Sequence, residues 1–514
     1  MNFNLGTIFF CVILSTSECL SVLGVFPINI KSHFHVFQSL MKEMSRRGHD
    51  VTVVSHYPLE EPLPRYRDVS LKGILPLFVE TVDVEALYNY NRKDMYIAPT
   101  ELSQWGQAIC ESTYFSGRLN EILNTTIPYD LIVVEMFNTD CFLPISFKFK
   151  APIVAISSST LLPWVISRSG IPLNPSYMQS VFMGYPKNLD FLERFENSMI
   201  TWIHLLFYRF WRNKKDDSIV RRYLNESMLP SVTELARSTS LIFVNTHFTL
   251  HDAKPLPPNV VEIGGIHLEK KKKLPENIEK FINESTHGVI YFSLGSMIKG
   301  HTFPQEKREA FLKAFARLPQ RVLWKWENET MPGKPDNVMI QKWMPQFDIL
   351  SHPNVKAFIS HGGLLGTTEA VHCGVPMVVM PQYGDQHTNA KAVEANGGGV
   401  VLYLKEATEE TVYQSLKTIL EPEFRAKAKA LSERFRDRPM SPMDTAIYWV
   451  EYVARHKGAP HMKTAAVDMP LYQYLLLDVL AFLAAIILLF SYISYKILSL
   501  VFRSVFAKKK VKQN

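Results

Sequence analysis

Between Phe358 and Ala370 the chain reads FISHGGLLGTTEA: an apolar run, a histidine with two glycines, then the opening of a helix that Gly374 would stop. Glycines at 362 and 363 let a bulky anion approach the backbone, and free N–H groups at a helix start carry the positive end of the helix dipole. His361 at the mouth adds a donor. Taken alone, this loop suits sulfate or any phosphate. Neither a G-x-G-x-x-G turn nor a G-x-x-x-x-G-K-[ST] loop occurs, which disfavours the common dinucleotide and P-loop modes of nucleotide binding.

Two series of elements must position this loop. From Ser21 the chain alternates apolar strands (SVLGVFP, DVTVVSH, YDLIVVE, APIVAISS) with helical stretches, the pattern of a parallel sheet covered on both faces. Residues 21–240 are expected to form the first such α/β domain. A second series, running from SLIFVNTHF through VVEIGGI, GVIYFSLGS, RVLWKWE and VKAFISHGG to MVVMPQ, assigns residues 241–440 to the second. Two doubly wound domains facing each other leave a cleft at the carboxyl ends of both sheets. Within the first domain, between Pro172 and Asp217, MITWIHLLFYRFWRNKK is apolar nearly all round, which fits either an internal helical layer or a surface for a membrane or a greasy ligand.

The two ends read as targeting and anchoring. Leu5 to Leu14 has the length of a signal-peptide core, so residues 1–20 are expected to be removed. Residues 441–473 form a helical return and juxtamembrane segment. Residues 474–496 are apolar enough to span a bilayer, with Tyr472, Tyr474, Tyr492 and Tyr495 as an aromatic belt, and the basic tail 497–514 is expected in the cytosol. Five charges of the formal +7 come from Arg503, Lys508, Lys509, Lys510 and Lys512, so the charge describes topology rather than a nucleic-acid footprint. Lys510 and Lys512 also resemble a dilysine retrieval signal. These features predict a single-pass protein of the endoplasmic reticulum membrane with its bulk in the lumen, where Asn124, Asn225, Asn283 and Asn328 are candidate glycosylation sites. Five cysteines, two of them near or within the signal, are too few for a disulfide framework.

The segment Trp343 to Gln386, WMPQFDILSHPNVKAFISHGGLLGTTEAVHCGVPMVVMPQYGDQ, has the length and landmarks of the donor-binding signature of the UDP-glycosyltransferases. Nearly the whole chain resembles the membrane-anchored animal members, most of all those of insects. The resemblance implies a GT-B fold of two Rossmann-like domains plus a transmembrane helix. It assigns Trp343 to stacking on uracil, Gln346 to the nucleoside and Glu369 to the ribose hydroxyls. His361, Gly362 and Gly363 fall to the diphosphate, and Asp385 and Gln386 to the sugar. The loop FSLGSM, with Ser293, Gly295 and Ser296, resembles the family's other diphosphate-facing loop. Leu365 stands where many relatives carry asparagine.

The same resemblance places the catalytic base at His33, in the loop after the first strand, with His35 inside the following helix. Asp140 is the preferred orienting acid and Glu135 the alternative. The implied reaction is inverting transfer of a hexose from a UDP-sugar to a hydroxyl of a small lipophilic acceptor, without metal or further cofactor. UDP-glucose is the expected donor, because Asn245 stands about where vertebrate glucuronosyltransferases carry a basic residue. A glucuronosyltransferase and a non-catalytic UDP-sugar-binding membrane protein are the alternatives. The expected partners are the UDP-sugar, the acceptor and the bilayer, with homo-oligomerisation left open.

Overall fold

The computed structural model describes residues 19–224 and 228–511. Most of the expected signal segment, Asn225 and the last three residues of the tail lie outside these. Residues up to Lys463 form one compact unit.

That unit contains two parallel sheets. The first has seven strands: β1 (Ser21–Phe26), β2 (Asp50–Ser55), β3 (Tyr66–Ser70), β4 (Leu131–Glu135), β5 (Ile153–Ser157), β6 (Leu241–Val244) and β7 (Val260–Glu262). Their order across the sheet is 3-2-1-4-5-6-7. The second has β8 (Val289–Ser293), β9 (Arg321–Lys325), β10 (Val338–Gln341), β11 (Val355–Ser360), β12 (Met377–Val379) and β13 (Gly399–Val401), in the order 10-9-8-11-12-13. β4, β5 and β8 are buried along their whole length, which is why their sequences are unbroken apolar runs rather than alternating ones.

β6 and β7 correct the expected domain boundary at 240. Val154 to Ser157 pair with Leu241 to Val244, and Ile242 to Val244 pair with Val260 to Glu262. SLIFVNTHF and VVEIGGI therefore finish the first sheet. The crossing to the second domain comes after Glu262, towards the exposed Lys270–Lys273 run.

The helices used below are α1 (Lys31–Arg46), α2 (Arg92–Phe115), α3 (Phe191–Phe207), α4 (Leu364–Cys373), α5 (Gln386–Ala395) and α6 (Pro442–Arg455). α4 stops at Gly374, which takes the left-handed conformation that an L side chain resists. α6 returns the chain to the first domain. Its Ile447 and Val450 share an apolar cluster with Phe37 and Met41 of α1, and Asp444 accepts from Arg47 at 2.5 Å. A second clasp is a two-residue parallel ribbon, Val82–Asp83 with Ile298–Lys299, which joins the first domain's loop to the second domain.

Cys110 on α2 and Cys141 after β4 form a disulfide, both fully buried. Scattered spacing along the chain hid this pair; the folding of α2 against the β4 loop brings their Cα atoms to 6.0 Å.

Residues 464–514 are a separate unit. Its main element is α7 (Leu477–Val511), in which Leu477–Ser504 is a candidate membrane span of 28 residues. At 1.5 Å per residue this stretch is ~42 Å long, more than a hydrocarbon core requires.

Candidate functional site

In both sheets the strand order reverses beside the first strand of that domain, between β1 and β4 and between β8 and β11. Such reversals open a crevice at the carboxyl ends of the strands. The chain after β1 carries His33 and the end of β4 carries Glu135. After β8 come Ser293 and Gly295, and after β11 comes His361. A cavity of about 1550 Å³ lies between the domains and is lined from both sides, by His33, Phe137 and Phe182 on one and by Trp343, His361 and Asp385 on the other.

On the first domain's side, α1 begins at Lys31, four residues before the helix start expected at His35, so His33 sits in the first helical turn rather than in a loop. Its Nδ1 stands 2.7 Å from Glu135 Oε1. The Ser158 hydroxyl, 2.9 Å from the same nitrogen, also hydrogen-bonds the Glu135 carboxylate. Burial pushes the Glu135 carboxyl upward, and the His33 and Ser158 bonds pull it back. A carboxylate accepting from Nδ1–H fixes the tautomer with Nε2 as the basic nitrogen. Asn245 is buried outside the cavity lining and donates to the Ser158 carbonyl at 3.0 Å.

Asp140 does not meet His33. Its carboxylate is bonded by Arg168, and its backbone N–H donates to Asp216 at 3.0 Å, where Arg212 also pairs at 3.0 Å. Cys141 next to it is held by the disulfide. The preferred acid is thus committed to a buried ion network, and the alternative, Glu135, holds the imidazole.

On the second domain's side, Ser293 of β8 pairs with Ser360 of β11, which brings the two loops side by side. The His361 ring fills the space between them. A Cβ on Gly295 would lie 2.6 Å from His361 Cε1, and one on Gly363 would lie 2.5 Å from Nε2. The glycines are needed to seat the imidazole as well as to admit a ligand. Gly363→Ala is therefore expected to displace His361 and weaken UDP binding about tenfold, measured by calorimetry.

Burial, with the Lys325 charge nearby, lowers the His361 pKa to about 4, so this ring is neutral at neutral pH. Positive potential comes instead from the α4 N-terminus, where no side chain caps the free N–H groups, and from Lys325. Lys325 ends β9, is buried, lines the cavity and pairs with Glu327 at 2.7 Å. Sequence reasoning passed over it; a lysine closing the apolar strand RVLWK was the available signal. Asn389 on α5 was missed too. Its amide donates to Gly362 O and to Asp385 Oδ2, both at 3.0 Å, and so ties the glycine loop to Asp385.

Trp343 is half exposed with the Lys31 ammonium 4.7 Å above its ring. Gln346 donates to Glu369 at 2.7 Å, and Gln386 Oε1 accepts from the backbone N–H of Gln382 at 3.0 Å. Leu365 packs against the apolar cluster shared by α1 and α6, an interdomain contact that explains an apolar residue there.

Burial raises the Glu369 pKa to about 7. Below that pH the carboxyl carries a proton and accepts poorly from paired hydroxyls; above it both oxygens accept. UDP-sugar affinity is expected to rise about tenfold between pH 6 and pH 8 with proton release, since the sugar-capped diphosphate does not itself titrate there, and Glu369→Gln removes that dependence; calorimetry in buffers of different ionisation heat measures it.

Three comparisons with known proteins bear on this site. The family model described as "UDP-glucoronosyl and UDP-glucosyl transferase" matches residues 77–513. The chain belongs to this family. This glycosyltransferase is 46% identical over 484 residues to UDP-glycosyltransferase UGT5 of Dactylopius coccus, covering 92% of this chain and 90% of that one. It is 40% identical to UDP-glucosyltransferase 2 of the same insect, covering 94% and 93%, and 33% identical to human UDP-glucuronosyltransferase 1A9, covering 93% and 91%. Among solved structures it resembles the glycotransferase of kitacinnamycin (TM-score 0.56, 16% identity, 84% of this chain and 99% of that one). It also resembles LpCGTa in complex with UDP (TM-score 0.53, 16% identity, 85% and 99%). At that identity these two establish the fold, which is GT-B. The enzyme transfers a sugar from a UDP-sugar.

Proposed function

We propose that this glycosyltransferase transfers glucose from UDP-glucose, with inversion, to a hydroxyl of a small lipophilic acceptor. The observation that carries the reading is His33 on the cavity wall across from the glycine loop, backed by the buried Glu135 at 2.7 Å. His33 Nε2 takes the acceptor's proton, the acceptor oxygen bonds to the anomeric carbon, and the bond from that carbon to the UDP oxygen breaks. A single displacement from the opposite face inverts the centre. Lys325 and the α4 N-terminus stabilise the charge that develops on the departing diphosphate. The His33 charge reaches Asp385, so the groups assigned to proton transfer and to the sugar share one field.

Asp385, a carboxylate on the second domain's side of the cavity, favours a neutral hexose over a uronate. Phe137, Phe182 and Trp105 make the acceptor end aromatic. The Cys110–Cys141 disulfide and the exposure of Asn124, Asn283 and Asn328 support an oxidising lumen, with α7 as the membrane anchor and the basic tail in the cytosol. Offering equal UDP-glucose and UDP-glucuronic acid with a phenolic acceptor and weighing the product tests the donor. A product heavier by a hexose is expected; a uronide overturns the glucose assignment.

A further inference from the structure

α3 continues through a π turn, Tyr208–Arg212, into a further helix, and its outer side carries an unbroken apolar stripe. Phe195, Ile203, Phe210 and Trp211 are 59%, 56%, 51% and 66% exposed, with Met199 and Leu206 between them. Steps of three and four residues from Phe195 to Phe210 keep these side chains on one face for ~22 Å, with Trp211 beside the last of them. An apolar patch of this extent on a soluble surface marks a contact.

The inner side packs into the domain. Asn197 accepts from the Ser180 N–H at 2.8 Å, and the His204 ring meets Phe182 edge-on at 5.9 Å. Phe182 lines the acceptor end of the cavity. One side chain layer therefore separates the exposed stripe from the acceptor wall.

We propose that this stripe lies in a bilayer surface, with its aromatic and aliphatic side chains in the headgroup–acyl boundary, so that the acceptor end of the cavity stands beside the lipid. The occupant follows from the charges around the stripe. Arg194, Lys214 and Lys215 are exposed and Arg209 partly so; Glu196 is neutralised by Arg92 and Asp216 by Arg212, while Asp190, Glu193 and Asp217 accept only from backbone N–H groups and keep their charge, so the excess of cations lies at the Trp211 end, where Arg209, Lys214 and Lys215 outnumber Asp217. An apolar face edged by cations, with tryptophan beside them, matches an anionic lipid surface. The inference rests on the membrane-anchor reading of α7, because the tether keeps a bilayer within reach.

The test places a bimane label on single-cysteine substitutions of the full chain, reconstituted into nanodiscs that hold one chain each and contain phosphatidylserine with bromine-labelled phosphatidylcholine. Positions are I203C and F210C in the stripe, I487C in the span and K417C on an exposed helix of the second domain. Quenching at 203 and 210 about threefold above that at 417 is expected. Quenching at 487 with 203 and 210 no different from 417 overturns the surface contact and leaves the anchor standing, the outcome a protein partner or a second copy on the stripe would give. Quenching at 203 and 210 without 487 supports the contact and overturns the anchor. No quenching at any of the three overturns both. As a functional arm, F195S/I203S/F210S should raise the KM for a vesicle-partitioned acceptor about fivefold, with the KM for UDP-sugar and turnover of a water-soluble acceptor unchanged; an unaltered acceptor KM in vesicles overturns the link to acceptor entry.

Discussion

Replacing His33 with alanine is expected to lower kcat about 10³-fold for an aliphatic alcohol acceptor while the KM for the UDP-sugar stays within about twofold. The split follows from position. His33 belongs to the first domain's switch point, whereas the groups assigned to base, ribose and diphosphate, Trp343, Gln346, Glu369 and His361, all belong to the second. The acceptor's acidity supplies a second, sharper signature. An alcohol cannot ionise unaided near neutral pH and depends on the base, but a nitrophenol is already substantially ionised and needs none. The same substitution should therefore cost a nitrophenol acceptor less than about tenfold. Initial rates with both acceptors at saturating donor measure the contrast. An equal loss for the two acceptors would mean that His33 shapes the cavity rather than takes a proton.

The loops of the second domain that line the cavity were the more legible part of this chain because they lie close together in sequence. Trp343, the glycine loop and Asp385 are spaced along consecutive strand–loop–helix units of one sheet, so their order in sequence is their order in the cleft. Three other features depended on contacts between distant segments. β6 and β7 are as apolar as strands of the second series, and an apolar run cannot state which sheet it will join; only pairing with β5 does. Cys110 and Cys141 meet because α2 folds over the loop after β4. His33 proved helical although KSH reads as loop, since a helix's first turn tolerates polar residues whose N–H groups need no partner within the helix. The orienting acid was the hardest case. Glu135 and Asp140 are five residues apart, and their surroundings separate only when β4 ends and the chain turns: Glu135, the last residue of the strand, lies buried against His33, and Asp140 has rounded the corner into the Arg168 network.

That separation makes the two carboxylates respond differently to the same chemical change. Glu135→Gln keeps the shape of the side chain but removes the charge that stabilises an imidazolium as it forms, and its amide can turn its NH2 towards Nδ1, selecting the tautomer with the proton on Nε2. The expected result is a kcat about 10²–10³-fold lower with a UDP-sugar KM near wild type. Asp140→Asn leaves the His33–Glu135 bond intact and instead strips the Arg168 guanidinium of its counter-ion in a nearly water-free site. The cost should be on the order of 3 kcal/mol of stability, read as a Tm lower by ~3 °C for a unit of this size, with kcat per folded molecule within about threefold of wild type. Differential scanning calorimetry alongside active-site-normalised kinetics separates the two effects. Should Asp140→Asn instead lose turnover while keeping its Tm, the ion network would have to communicate with His33 by a route other than the 2.7 Å bond from Glu135. Ser158 offers a graded check on that bond: Ser158→Ala removes one of the two donors that hold the Glu135 carboxylate, leaves the other in place, and should fall between wild type and Glu135→Gln in kcat.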